Sequence, residues 1–177
     1  MHLQLSTCEI RSWQHSDIDA LPRYANNRKI ARNLRDGFPH PYTRDDAVAF
    51  IEHALRSGTE TMFAIEMDDE IVGGIGFGLH VDVERVSAEI GYWLGEPFWG
   101  RGIMTEALPA VTRYAIETHR LTRVYALPFA WNDASFRVLE KAGYVREARL
   151  RCSALKEGQI IDQFLYAFVT PERGKMP

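Results

Sequence analysis

The sequence predicts an α+β fold in which one mixed, mostly antiparallel central sheet is covered by helices, in the order βααβββαβαββ. Three observations carry this. The hydrophobic pattern switches repeatedly between a period of two and a period near 3.6 residues, the signatures of strands and helices. Three strands joined by short polar turns are followed by strands separated by helix-length segments, which combines a meander with crossovers. Finally, 177 residues that are 46% hydrophobic and 25% charged suit one globular domain and exclude a disordered, collagen-like or coiled-coil chain. Residues 1–177 are therefore expected to form a single domain, without internal repeat, low-complexity segment or linker.

The elements follow in order. A period-2 stretch from Leu3 to Trp13 reads as the first strand, and Ser16 as the N-cap of a helix reaching about Asn26. Residues 27–42 have no clean period and read as a connection. Thr43 can cap the next helix, with Asp45 and Asp46 in its first turn where the helix dipole favours them. Ala47, Phe50, Ile51, Ala54 and Leu55 then mark its buried face. Thr61 to Met67 and Ile71 to about Val81 make a hairpin around Asp68 and Asp69, and Ser87 to Leu94 a third strand. Gly102 to about Thr118 reads as a long helix, although Pro109 removes an N–H inside it and predicts a bend. Thr122 to Leu127 is a strand. Asn132 caps a helix to Ala142 with Gly143 at the left-handed position beyond its end, and Tyr144–Arg151 and Gln159–Val169 close the sheet.

Charge and cysteine usage narrow the function. Lys and Arg number 21 against 24 Asp and Glu, a net charge of -3, which argues against a nucleic-acid binder with its basic face. Cys8 and Cys152 stand alone and read as buried free thiols in a reducing compartment. The six histidines form no i,i+4 pair and no HExxH, so no metal is expected. No apolar run approaches the ~18 residues of a membrane helix, and the first residues lack the basic and apolar regions of a signal peptide. A cytoplasmic protein without a membrane partner is the expectation.

The informative segment is Ala88 to Ala107, AEIGYWLGEPFWGRGIMTEA, in which a strand runs into a glycine-bearing turn that opens directly into a helix. Such a turn leaves several backbone N–H groups unpaired and pointing one way, which binds anions. Gly100 and Gly102 allow close approach of a phosphate, and Arg101 adds a cation. Gly100 to Thr105 departs from the dinucleotide pattern GxGxxG only at Thr105, whose side chain stands where close helix packing wants none. The unit also lies mid-chain, after a meander rather than in a repeated βαβ array, so an oxidoreductase is the least favoured reading.

At this point the sequence resembles the GCN5-related N-acetyltransferase superfamily, within it the branch of the ribosomal-protein N-terminal acetyltransferases. The resemblance lies in the strand EIGYWL (Glu89 to Leu94), the Trp-Gly-basic-Gly turn Trp99 to Gly102, and Thr105-Glu106-Ala107. A second element follows, Asn132, Ser135, Val138 to Lys141, and Gly143-Tyr144. More loosely it extends from about residue 5 to about residue 169. It implies an acyl-CoA N-acyltransferase-like fold and acetyl-CoA as donor. The pyrophosphate would sit on the turn of Trp99, Gly100, Arg101, Gly102, Ile103, Met104 and Thr105, and the pantetheine beside Tyr92, Trp93 and Leu94, with Asn132 and Ser135 facing it. The superfamily turn, Q/R-x-x-G-x-G/A, aligns with Trp99, Gly102 and Met104. Met104 is larger than the usual Gly or Ala, so either its side chain points away from the phosphates or the site is altered.

Acetyl transfer asks for a neutral amine, a polarised thioester carbonyl and a proton for the leaving thiolate. An ammonium with a pKa of about 10 cannot attack, so a base is needed. Glu89 is the candidate, half-buried among Ala88, Ile90 and Tyr92 and acting through a water; its alternative is a structural carboxylate paired across strands. A backbone N–H between Tyr92 and Leu94, freed by a bulge or splay at Gly91, would polarise the carbonyl. Many superfamily members place a proton-donating Tyr where this chain has Leu139. Ser135 is the candidate relay instead, with water as competitor; its alternative is a local helix-start bond. Asn132 reads both as cap and as pantetheine contact.

The resemblance places the acceptor near residues 27–42 and the turn between Arg149 and Gln159. The first of these carries Arg28, Lys29, Arg32 and Arg35 against Asp36. No Cys/His or Ser/His/Asp set suggests a covalent intermediate, which favours direct transfer in a ternary complex. The function expected is an acetyl-CoA-dependent N-acetyltransferase, monomer or homodimer, acting on a protein N-terminus or a small-molecule amine. A non-catalytic acyl-CoA-binding sensor is the alternative from another class.

Overall fold

The computed structural model describes residues 1–170; the last seven residues of the expected domain lie outside the described part. Among the described residues the first expected strand is two, β1 (His2–Gln4) and β2 (Glu9–Ser12), folded back as a hairpin. Ser6 and Thr7 form its turn, and Glu106, far along the chain, accepts both of their backbone N–H groups at 2.7 and 3.0 Å. A long-range carboxylate therefore breaks what the alternation alone reads as one strand.

Ser16 does not cap a helix. Residues 15–17 form a single tight turn closed by Asp17, which accepts the Gln14 N–H at 2.8 Å and pairs through both oxygens with Arg11. The helix proper starts at α1 (Leu21–Ala25), where Pro22 falls in the first turn and loses no intrahelical bond. Inside the expected connection lies a short helix, α2 (Arg28–Ala31), capped by Asn27 Oδ1 on the Lys29 N–H at 2.9 Å. At four residues it is too short to show a period. Thr43 caps α3 (Arg44–Arg56) as expected, in a box closed by Asp46. Ala47 and Ile51 are buried, Phe50 and Ala54 are half-buried, and Leu55 turns to solvent.

The meander consists of β3 (Met62–Met67), β4 (Glu70–Leu79) and β5 (Ser87–Leu94). Asp68 and Asp69 both take positive φ in the first turn, which suits a two-residue hairpin. Then come α4 (Ile103–His119), β6 (Arg123–Ala126), α5 (Asp133–Lys141), β7 (Val145–Lys156) and β8 (Gln159–Val169). The last hairpin is longer than expected, because Glu157 and Gly158 make a tight left-handed turn and a bulge around Cys152 absorbs a register shift. α4 runs without interruption through Pro109. Cys8 is buried, and burial raises its thiol pKa; Cys152 is exposed, which corrects the expectation that both thiols are buried.

All eight strands join one sheet in the order β1-β2-β3-β4-β5-β6-β8-β7. Every pair is antiparallel except β5–β6. A larger core containing Ile65, Phe77, Leu108, Val111 and Leu139 includes residues of α4 and α5, while a smaller one containing Trp13, Leu21, Tyr42, Ala47 and Ile51 includes residues of α1 and α3. Period-2 alternation divides β3 between them: Phe63 and Ile65 join the larger cluster and Ala64 the smaller. None of the helices described is long and apolar enough to cross a membrane.

Candidate active site

The one parallel pair is short. β5 and β6 are in register only from Ser87 to Glu89 against Arg123 to Tyr125, after which the strands separate. β5 keeps its pairing with β4 to the end, with Gly91 opposite Gly76 and no bulge, so the opening is a splay between β5 and β6. The open groups can be assigned. The Ser87 carbonyl accepts the His80 N–H and the Gly95 N–H donates to the Val72 carbonyl. These two bonds fix the antiparallel alternation, which turns the N–H and C=O of Ile90, Tyr92 and Leu94 away from β4. Tyr92 and Leu94 thus present their N–H groups to the notch. The indole of Trp99 covers one exposed carbonyl, its Nε1–H donating to Leu94 O at 2.7 Å.

The glycine-bearing turn closes the notch at one end. Gly100 and Gly102 have φ of 75° and 84°, a region that L side chains rarely adopt, and a Cβ on either would meet open space. That space is what a phosphate needs beside the backbone. Gly102 is the N-cap of α4 and offers no side-chain cap, and the first intrahelical bond runs from Glu106 N–H to Gly102 O. The N–H groups of Ile103, Met104 and Thr105 are left for an anion, reinforced by the helix dipole. The side chains of Ile103 and Met104 are buried in the larger core, so the bulk of Met104 stays out of the turn. Arg101 is exposed and rests over the ring of Phe98.

On the α4 and α5 side of the notch, Asn132 caps α5 by accepting the Ser135 N–H at 3.2 Å. This leaves the Ser135 hydroxyl free, and it meets the Tyr92 phenol at 2.8 Å, whose pKa burial has pushed up to about 12. Sequence reasoning gave Tyr92 a cofactor contact and a backbone N–H for the carbonyl, and missed this side-chain pairing. Leu139, one turn after Ser135, is fully buried in the larger core and is not among the residues that line the cavity. Trp93 lies apart from the other cofactor candidates. Alternation sends its N–H to β4 and its indole to the opposite face, where it packs with Phe38 at 5.6 Å.

Glu89 sits on that opposite face too. It is half-buried, but its carboxylate is not bounded by apolar groups alone: Arg35 Nη2 donates to Oε1 at 2.5 Å. No period or motif signals this contact, because Arg35 lies in an irregular loop. Asp36 beside it is held by Lys156 Nζ at 2.7 Å, from the tip of the β7–β8 hairpin, so the two segments expected near the acceptor do meet. One cavity of about 910 Å³ joins the two faces, lined by Gly102, Thr105, Asn132 and Ser135 on one and by Arg35, Phe38, Glu89 and Trp93 on the other. Of the candidate residues read from the sequence, all but Arg101 line this one opening, and they come to it from β5, the glycine-bearing turn, α4 and the start of α5.

A splayed sheet with an uncapped helix start beside the opening offers unpaired N–H groups along one edge of a cavity, an arrangement suited to an anionic ligand. The comparisons specify which. The acetyltransferase (GNAT) domain model matches residues 8–145, and the chain belongs to that family. It is 31% identical over 167 residues to the [ribosomal protein uS5]-alanine N-acetyltransferase of Escherichia coli (strain K12), covering 91% of this chain and 84% of the relative. It is 34% identical over 167 residues to the uncharacterized N-acetyltransferase YoaA of Bacillus subtilis (strain 168), covering 92% of this chain and 93% of the relative. Among solved structures, the fold matches that of RimL, a ribosomal L7/L12 alpha-N-protein acetyltransferase in complex with coenzyme A, with TM-score 0.84 and 22% identity over 96% of this chain and 98% of the other. The chain is an acetyl-CoA-dependent N-acetyltransferase.

Proposed function

We propose that this chain carries the acetyl group of acetyl-CoA directly to a primary amine in a ternary complex, the amine being a protein N-terminus or a small molecule. The observation that carries the reading is the β5–β6 notch, with Glu89 on one face and Ser135 on the other. The pyrophosphate rests on the amides of Gly102 to Thr105, with Trp99, Gly100 and Arg101 around it. The thioester carbonyl accepts from the Tyr92 or Leu94 N–H, already aimed and unable to reorganise. Transfer forms a C–N bond at the acetyl carbon and breaks the C–S bond. The amine's proton passes through a water to Glu89, and the leaving sulfur takes a proton from Ser135 or from water. Asn132 holds the α5 start against the pantetheine. A protein acceptor is supported by the uS5-alanine N-acetyltransferase among the relatives. The reading extends to a single-domain cytoplasmic enzyme, monomer or homodimer, that uses no metal, nucleic acid or membrane; the unpaired Cys8 and Cys152 suit a reducing compartment.

Glu89→Gln tests the base. Turnover at neutral pH is expected to fall about 100-fold, the scale of a positioned general base, while CoA affinity measured by calorimetry stays unchanged. A variant that keeps more than about half the rate with chemistry limiting removes Glu89 from the mechanism.

A further inference from the structure

The acceptor side of the cavity carries an unusual charge arrangement. Among the residues lining the whole cavity, Glu89 is the only carboxylate, and Arg35 stands directly on it. Glu89 is held by its strand and is 27% exposed at the side chain, whereas Arg35 is 73% exposed on a flexible stem. An ion pair so open on one side is weak and easily exchanged. Lys29 also lines this end, and Arg32 leans over the ring of Trp131 nearby. Lys156, whose side chain is almost buried, holds Asp36 and so anchors the loop backbone next to Arg35, while the exposed head of Arg35 remains movable. A base covered in this way needs something that uncovers it.

We propose that the acceptor is an amine that carries its own anion, a carboxylate a few bonds from the reacting nitrogen, and that Arg35 selects it. The inference rests on the transferase reading above and names the substrate class of the same site. A zwitterion exchanges partners with the protein pair: its carboxylate takes the guanidinium, for which two parallel N–H···O bonds are available, and its ammonium is left facing Glu89. No charge is stranded. An amine without an anion instead brings its ammonium against the charge of Arg35, a like-charge contact that costs affinity and leaves Glu89 covered. The rest of the acceptor is apolar, because the walls beyond the pair are the rings of Phe38, Tyr42 and Trp93, with Trp13 and Phe50 behind them. The carboxylate has two sources, a free amino acid with a large apolar side chain or an acidic residue next to a peptide's N-terminus.

Matched acceptors test this. Free phenylalanine is compared with phenylalaninamide, and the C-terminally amidated peptide Ala-Asp-Phe with Ala-Asn-Phe, by thiol release from acetyl-CoA. In at least one pair the wild type is expected to prefer the acid by about tenfold or more in kcat/KM, and the pair that does so identifies the source of the carboxylate. In Arg35→Gln that preference disappears from both directions: KM for the acid rises, while kcat for the amide rises because Glu89 is uncovered. Arg35→Lys, which keeps the charge without the fork, restores part of the preference. A wild type that uses neutral amines as well as acids, or turns over none of these acceptors, overturns the proposal. So does an Arg35→Gln variant that loses both activities by the same factor, the mark of a structural brace. Failure of the transferase reading itself appears separately, as an absence of thermal stabilisation by acetyl-CoA and CoA.

Discussion

Helices α3 and α4 begin in opposite ways. At α3 the Thr43 hydroxyl accepts the Asp46 N–H and the Asp46 carboxylate accepts the Thr43 N–H at 2.8 Å, so the first turn is closed by its own residues. At α4 the cap is a glycine with no side chain, and the one carboxylate in its first turn, Glu106, is committed instead to Ser6 and Thr7. Free N–H groups at a helix start cost stability unless water or a ligand takes them. The closed start needs nothing from outside the chain, whereas the open one leaves N–H groups that the proposed donor would take. α5 stands between them, since Asn132 closes its first turn but leaves the Ser135 hydroxyl to Tyr92.

The largest effect that would break this contrast comes from Gly102→Val. A β-branched residue at φ of 84° is strained and crowds the open amides, and CoA affinity by calorimetry should fall about 100-fold, the loss of one or two charge-assisted hydrogen bonds. Retained affinity would mean that the anion lies elsewhere and that the open start has no function. Next is Ser135→Ala, which removes the hydroxyl but not the cap; turnover should drop about tenfold, less than for Glu89→Gln, because water can also protonate a thiolate. A Ser135→Ala loss larger than that of Glu89→Gln would make the hydroxyl the principal group.

Thr43→Ala opens the closed start. Losing such a cap costs about 1 kcal/mol, which lowers Tm by roughly 2–4 °C for a chain of this size, with CoA affinity unaltered. A change in CoA affinity would show that α3 is more than scaffold. The smallest effect concerns Glu106, whose folded-state pKa is lowered to about 2 by the bonds from Thr7 and Ser6. Because the folded pKa lies below the ordinary 4.5, its contribution is present above that value and is lost as pH falls from 4.5 toward 2. Solvent access keeps it small. Acid unfolding of Glu106→Gln should lack that part of the slope, and an identical profile in both proteins would detach Glu106 from the β1–β2 turn.

Long periodic elements and residue-specific punctuation were legible in the sequence: α4 from its apolar face, β5 to the residue, the Thr43 and Asn132 caps, and the left-handed Gly143. The split of the first strand, the cap that Ser16 does not make and the short α2 were not, because each depends on one long-range or very local bond. The site shows the same division. The turn glycines and the Tyr92–Leu94 edge are visible as a contiguous strand and turn, whereas Arg35 over Glu89 and the Tyr92–Ser135 contact join segments that only the tertiary fold brings together. Leu139 shows the limit of matching by position: its number suits a proton donor, but its side chain is closed into the core, where a Tyr would overpack.

The three-residue length of the β5–β6 pairing has a consequence for how such a chain diversifies. Because β5 and β6 pair over so few residues, the function proposed above places the donor on one face of the opening and the acceptor against loops on the other. On that proposal, drift in residues 27–42 or in the tip of the final hairpin would retune what is acetylated without disturbing the turn assigned to the donor. A library randomised there should yield many folded proteins that keep CoA binding and differ in acceptor, whereas an equal library across residues 99–105 should yield few.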